Sequence, residues 1–310
     1  MTSPSVLLTG VSSFTGTWFA RTLAAQGSAV LGTATSGVAD YHGLRSERLA
    51  RAAESVEVAW DAPFGSERML DVLAQHRPEV LCLHHAVVGD YRSPAFDIAG
   101  ALMHATHRAA EVMQVAADNG CTAVMVTRSV FEKDAGLSDD PRPIGAYGVA
   151  KGATSQALEL HARAVGLAVA TYCIPNPFGP WEEPRLVAHL FRTWNGGGTP
   201  ELRAPHLVRD NIPAPLLAHD YSSAVGRLLT DARDRSPSFR PCTNLEFART
   251  LAAEFGRRLD RSFAVATAEE LDDSEPLVRV GKDRLHPAAY DEQAFYDSYV
   301  NHYMRSEGRT

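Results

Sequence analysis

The stretch Ser5-Val-Leu-Leu-Thr-Gly-Val-Ser-Ser-Phe-Thr-Gly16 decides the fold. Ser5–Thr9 is a short apolar run between Pro4 and Gly10, the pattern of a strand buried on both faces. A helical pattern then runs through Trp18, Phe19, Leu23 and Ala24 and stops at Gly27. In such a strand–turn–helix, Gly10 permits the tight turn and Gly16 permits close packing of helix on strand. The helix N-terminus offers N–H groups and a positive dipole end to a pyrophosphate. Gly10, Ser13, Phe14, Thr15 and Gly16 are therefore candidate contacts for a dinucleotide. The alternative is an ordinary turn, because strand–glycine–helix junctions are common in α/β proteins.

Outward from this unit, strands and helices alternate. Ala29–Thr33 and Val56–Trp60 read as the second and third strands. Ser66–His76 reads as a helix with Met69, Leu70, Val72 and Leu73 on one side. Val80–His84 is the fourth strand, Ala95–Asn119 one long helix, Ala123–Thr127 the fifth strand and Ala168–Cys173 the sixth. This order predicts an open, mostly parallel sheet covered on both faces, with ligands beyond the carboxyl ends of the strands.

Ala-Tyr-Gly-Val-Ala-Lys151 opens the helix read over Gly148–Val165. A spacing of four puts Tyr147 and Lys151 one turn apart on one face. An ammonium beside a phenol stabilises the phenolate, so the pair predicts a lowered Tyr147 pKa and an acid/base near neutral pH. The bland alternative is a surface Tyr and a solvated Lys that share a helix. The chain holds only three Lys (Lys133, Lys151 and Lys282), so Lys151 is not filler from a Lys-rich surface.

At 310 residues the chain suits one large α/β domain with a smaller cap, and its 45% hydrophobic and 22% charged residues are ordinary for a globular protein. A net charge of −7 argues against nucleic acid or an anionic membrane as the main partner. No apolar run approaches a membrane span, and the start carries no basic leader. Cys82, Cys121, Cys173 and Cys242 have no metal or redox spacing, so a reducing cytoplasm is the expectation. His84, His85, His104 and His107 lack a convergent ligand pattern, and no metal is expected; one of His84 and His85 is expected to line the cofactor cleft.

Taken in order, these motifs resemble the extended short-chain dehydrogenase/reductases of the NAD-dependent epimerase/dehydratase family that modify nucleotide sugars. The resemblance rests on Thr9–Gly16, Trp60-Asp61-Ala62, Pro78–Ala86, Val126–Phe131, Tyr147-x-x-x-Lys151, Pro175–Pro180 and Arg209–Ile212. It implies a Rossmann-like, doubly wound parallel sheet over residues 1–175. Residues 176–310 would mainly form a smaller C-terminal substrate-binding cap, with some segments returning to the first domain. It implies Thr127, Tyr147 and Lys151 as the catalytic set. Thr35, Asp61, Ala62, His85, Ala86 and Pro175 join the loop as cofactor contacts, with Tyr147 and Lys151 shared. Asn176, Arg185 and Arg209 would meet the substrate, Arg209 at its diphosphate, although a structural ion pair is the alternative for Arg209. A homodimer is expected.

Three departures matter. Ser13 stands where the family loop has its middle Gly. The second strand ends Gly32-Thr-Ala-Thr-Ser-Gly37 without an acid for a ribose 2′-OH; the cofactor is NAD or NADP, and the missing acid favours NADP. Arg128 and Ser129 replace the Asp-Glu pair of the sugar 4,6-dehydratases, which disfavours that reaction; nearby Glu132 and Asp134 read as a solvated loop. The implied activity is hydride transfer at a ring carbon, C4, of a nucleotide sugar, as epimerase or 4-ketoreductase. The alternative from another class is a non-catalytic NAD(P)-binding sensor or scaffold, against which the intact Thr127, Tyr147 and Lys151 argue.

Overall fold

The structure, a computed structural model, describes residues 3–269, 274–286 and 290–307. The first part of the chain runs β1 (Ser5–Thr9), α1 (Phe14–Ala25), β2 (Ala29–Thr33), α2 (Gly43–Ala53), β3 (Glu57–Ala59), α3 (Glu67–His76) and β4 (Val80–Leu83). It continues α4 (Ile98–Ala105), α5 (Ala109–Asp118), β5 (Ala123–Ser129), a short β6 (Leu137–Ser138), α6 (Gly145–Ala164), β7 (Ala168–Ile174) and β8 (Asn176–Phe178). Six strands form one parallel sheet in the order β3-β2-β1-β4-β5-β7. Val6 sits opposite Val30 on one side and Val80 on the other. The order reverses between β1 and β4, and a doubly wound sheet opens its ligand crevice at that switch point.

Alternation along each strand divides the core into two layers. Val6, Leu8, Cys82 and Met125 face α1, while Leu7, Leu81, Val124 and Val126 face α3, α5 and α6. The remaining helices are α7 (Leu186–Asn195), α8 (Ala214–Arg227), α9 (Asn244–Leu259) and α10 (Glu292–Glu307). α8 joins the first layer: Tyr221 stacks on Phe19 of α1 at 3.9 Å between ring centroids. The other three helices make a separate core with Phe178, Phe191, Trp194, Phe255 and Tyr299. In this cap, Tyr299 and Tyr303 of α10 both donate to Oε1 of Glu182. Burial pushes the Glu182 carboxyl up to about 7, against the pull of those two phenols.

Two sequence expectations change. Ala95–Asn119 is not one helix: it breaks between α4 and α5, where Arg108 adopts a left-handed φ of 50°. Arg108 is held there by Glu67 and Glu111, each at 2.6 Å. α8 begins at Ala214, well before the expected His219, because Pro215 lies in its first turn, where no N–H is needed.

Candidate active site

The glycine loop closes as its residue types require. Gly10 has φ +74°, and its carbonyl accepts the Ser13 N–H at 3.0 Å. Ser13 caps α1, its hydroxyl accepting the Gly16 N–H at 3.1 Å. A Cβ on Gly16 would overlap the Gly10 carbonyl oxygen and lie 2.7 Å from Ser13 Oγ. The loop therefore brings a helix N-terminus against the switch crevice, the cradle a pyrophosphate needs. Phe14 opens the helix beneath the Arg48 guanidinium, 5.9 Å from its ring centre, and Thr15 is buried.

His84 and His85 follow the end of β4 and diverge. His84 meets the loop and the end of β5 together: Nε2 lies 2.9 Å from Thr15 Oγ1 and 3.1 Å from Ser13 Oγ, and Nδ1 lies 3.1 Å from Thr127 Oγ1. Burial, aided by the Lys151 charge, pushes the His84 pKa down to about 3, so the ring is neutral. His85 turns to the other layer, where it stacks on Phe64 and donates from Nε2 to the Ala105 carbonyl at 2.9 Å. That donation fixes the tautomer, so Nδ1 accepts from the Thr9 hydroxyl at 2.9 Å. His85 thus caps the end of α4 at the helix break. Of the two, His84 touches the glycine loop, whereas His85, the member expected at the cofactor cleft, turns to the helix break.

After β2, Thr35 is tied to the Tyr41 hydroxyl through its N–H and its Oγ1, at 2.9 and 3.0 Å. Asp61 has φ 53°, and the buried Ala62 donates to the Ala34 carbonyl. A Cβ on Gly37 would lie 3.4 Å from Oδ2 of both Asp40 and Asp61. The turn after β2 is therefore acidic, although no acid ends the strand itself.

Tyr147 and Lys151 occupy the first two turns of α6, beside the end of β5. Lys151 is buried and donates from Nζ to the Thr127 carbonyl at 2.6 Å. Its pKa is lowered by burial, opposed by Glu132. Tyr147 lies among aromatic rings, Tyr91, Phe96 and Phe131, with centroids 5.8–6.1 Å away. Its pKa is pushed up to about 12, first by burial and then by the Glu132 charge, against the Arg185 charge. The sequence expectation of a lowered phenol is overturned: Lys151 directs its proton to a backbone carbonyl, and the nearby acid acts in the opposite sense.

Glu132 itself is fully buried, not part of a solvated loop. Its carboxylate accepts from Arg128 Nε and the Ser129 N–H, both at 2.8 Å, and from the Ser155 hydroxyl at 3.2 Å. The signal that would have found it is the small-residue spacing Gly148, Gly152, Ser155, which lets the chain after β5 lie on α6. A Cβ on Gly148 would overlap the Phe131 carbonyl oxygen, and one on Gly152 would touch Glu132 at 3.9 Å.

The expected substrate contacts are spread more widely. Asn176 opens β8, opposite Asn211, and Pro175 is buried beside it. Ala86 follows His85 and is half-buried. Arg185 stacks on Tyr91, 4.3 Å from the ring centre. Arg209 is buried, donating to Glu275 at 2.9 Å and to the carbonyls of Val208, Pro276 and Leu277. The structural ion pair is what the structure contains, with Glu275 rather than the adjacent Asp210 as partner. Among the described residues, no group of three or more His, Cys, Asp and Glu side chains is placed to hold a metal. None of their helices is long and apolar enough to cross a membrane.

A family model described as the NAD dependent epimerase/dehydratase family matches residues 6–202. No curated protein matches the sequence. Among solved structures, a UDP-glucose-4-epimerase from Stenotrophomonas maltophila, with bound NAD and formylated UDP-arabinopyranose, superposes with TM-score 0.77 at 15% identity over 99% of this chain and all of its own. A UDP-N-acetylglucosamine 4-epimerase from Methanobrevibacter ruminantium gives 0.74 at 13% identity over 99% and 100%. A dTDP-glucose 4,6-dehydratase from Streptomyces venezuelae gives 0.71 at 17% identity over 98% of each chain. These likenesses carry the fold: a Rossmann-like sheet with a C-terminal cap.

Proposed function

Because this chain belongs to the NAD dependent epimerase/dehydratase family, we propose that it transfers a hydride at a ring carbon, C4, of a nucleotide-linked sugar, as an epimerase or a 4-ketoreductase. One observation carries the proposal. Tyr147 and Lys151 stand in the first two turns of α6, with Lys151 donating to the Thr127 carbonyl at the carboxyl end of β5, the strand next to β4 of the switch crevice. The solved structures that share the fold include epimerases and a dehydratase of UDP and dTDP sugars, which supports that substrate class.

The cofactor would be held by the loop Gly10–Gly16 at its pyrophosphate, by Thr35, Asp61 and Ala62 at its adenosine end, and by Lys151 at its ribose. When bound, the nicotinamide supplies the acceptor or donor of hydride. The preference for NADP drawn from the bare end of β2 gives way to NAD here. Asp40 and Asp61 beside Gly37 suit a ribose hydroxyl and repel a 2′-phosphate. Tyr147 moves the proton of the reacting oxygen, and Ser129 and Thr127 orient it. A homodimer belongs to the proposal, because α4 and α6 leave Met103 and Leu160 71% and 66% exposed.

The test is incubation of the NAD-loaded and NADPH-supplied protein with UDP-, GDP- and dTDP-hexoses and their 4-keto forms, followed by NMR of the sugar. Inversion at C4 or reduction of the ketone is expected. A 4-keto-6-deoxy product would restore the dehydratase reading. Tight dinucleotide binding with no turnover on any sugar would favour the sensor alternative.

A further inference from the structure

His84 joins parts of the chain that lie far apart in sequence. Its backbone N–H donates to Thr9 Oγ1 at 2.8 Å, and its ring meets Phe19 edge-on at 5.1 Å between centroids. The ring is thereby aimed, with Nε2 toward Ser13 and Thr15 of the glycine loop and Nδ1 toward Thr127. Thr127 in turn accepts the Lys151 ammonium through its carbonyl. One residue of β5 is thus tied to the loop through its hydroxyl and to α6 through its backbone.

We propose that His84 is a positioning residue that locks the glycine loop to β5 through a single tautomer and so sets the spacing between the pyrophosphate cradle and Lys151. The proposal rests on the reading of Gly10–Gly16 as the dinucleotide loop. A neutral imidazole has one donor and one acceptor. This ring is neutral, held so first by burial and then by the Lys151 charge. Ser13 Oγ already accepts the Gly16 N–H, so its own proton is left to give, and Nε2 stands 3.1 Å away to take it. Thr15 Oγ1 approaches the same nitrogen at 2.9 Å. Nε2 is therefore the acceptor, and the ring proton sits on Nδ1, from which it is donated to Thr127 Oγ1. A pyrophosphate at this turn is met by the backbone N–H groups of the helix start, so the two hydroxyls keep to the ring when the loop is loaded. A dinucleotide gripped at the loop and at Lys151 is held at two points, and an error in their spacing misplaces the reacting carbon.

The experiment needs no sugar substrate. Histidine labelled with nitrogen-15 in the ring is incorporated, and the His84 signals are identified as those missing in His84→Gln. Protonated and bare ring nitrogens resonate in separate regions, so the tautomer is read directly; the proton is expected on Nδ1, without nucleotide and with NADH. The second arm is a cycle read by calorimetry of NADH binding. Thr127→Val should raise the NADH Kd roughly tenfold in the otherwise wild-type protein, because it cuts the link to the loop. In the His84→Leu background that link is already gone, and the same change should leave Kd within about twofold. A ring proton on Nε2 overturns the proposal. So does an equal effect of Thr127→Val in both backgrounds, the result for a His84 that merely fills space. Failure of the loop reading itself would appear instead as no NADH binding by the wild type, with the ring proton still on Nδ1.

Discussion

The hydroxyl of Thr127 meets His84 Nδ1 at 3.1 Å, whereas its carbonyl accepts the Lys151 ammonium at 2.6 Å. Ser129 stands two residues further along β5 on the same side, its hydroxyl accepting from the Phe131 N–H at 3.3 Å. Tyr147→Phe keeps the ring among Tyr91, Phe96 and Phe131 and removes the proton carrier, so kcat should fall by about 10²–10⁴-fold with cofactor affinity unchanged. Ser129→Ala should also lower kcat, by roughly tenfold, the worth of about one hydrogen bond. Thr127→Val should disturb His84 and the loop, and raise the dinucleotide Kd more than Ser129→Ala does. Steady-state kinetics and calorimetry on the three variants separate these roles, and equal kinetics for Tyr147→Phe and wild type would remove Tyr147 from the chemistry.

At the glycine loop, steric room is the decisive quantity. Gly16→Val places a branched side chain where even a Cβ overlaps the Gly10 carbonyl. Dinucleotide binding should be lost, with the far-UV spectrum retained. Ser13→Ala should be milder, costing about 1 kcal/mol of stability as a lost helix cap. Calorimetry showing wild-type affinity in a folded Gly16→Val protein would exclude the loop as the pyrophosphate site.

Arg209 gives a prediction that separates a structural from a binding role. Its side chain is 6% exposed and that of Glu275 is 18% exposed. Arg209→Ala breaks the pair inside the protein, which should cost about 3 kcal/mol and lower Tm by roughly 5–10 °C without ligand. If thermal unfolding is unchanged while KM for a nucleotide sugar rises, the diphosphate contact is restored as its function.

Glu182 predicts a pH effect in the cap. Its folded pKa, about 7, stands above that of an unfolded glutamate, so the folded state binds more protons between roughly pH 4.5 and 7. Its contribution therefore favours folding at the acidic side and is lost as pH rises through 7. Glu182→Gln should flatten that part of the stability profile and raise Tm at pH 8 by a few degrees relative to its effect at pH 5. Denaturation curves at the two pH values check the sign; an equal change at both would place the Glu182 proton elsewhere.

The sheet was legible because its strands are buried on both faces and read as apolar runs between glycines. All six expected strands differ from the structure by no more than two residues at any end, and Ser5–Thr9 and Ala29–Thr33 agree at both. What failed was local periodicity meeting tertiary contacts. The apolar pattern from Ala95 to Asn119 is continuous, yet Arg108 is turned by Glu67, which lies far away in sequence. The Tyr147–Lys151 spacing correctly predicted two groups one turn apart on a helix, but the charge acting on the phenol comes from Glu132, whose burial no local pattern of polarity reveals. His84 and His85 are adjacent and alike in sequence; only the pleat at the end of β4 sends one to the loop and the other to the helix break.

α8 returns from the second half of the chain to lie on α1, and this makes the apparent seam near residue 175 an unsafe place to cut. A fragment ending there would leave Phe19 and Tyr172 without the ring of Tyr221 that covers them. During synthesis the same surface waits until roughly fifty further residues have been added, a delay of a few seconds at ~5–20 residues per second. The nascent sheet is exposed to mispairing and chaperone capture through that interval, so its two halves are bound to a shared folding schedule.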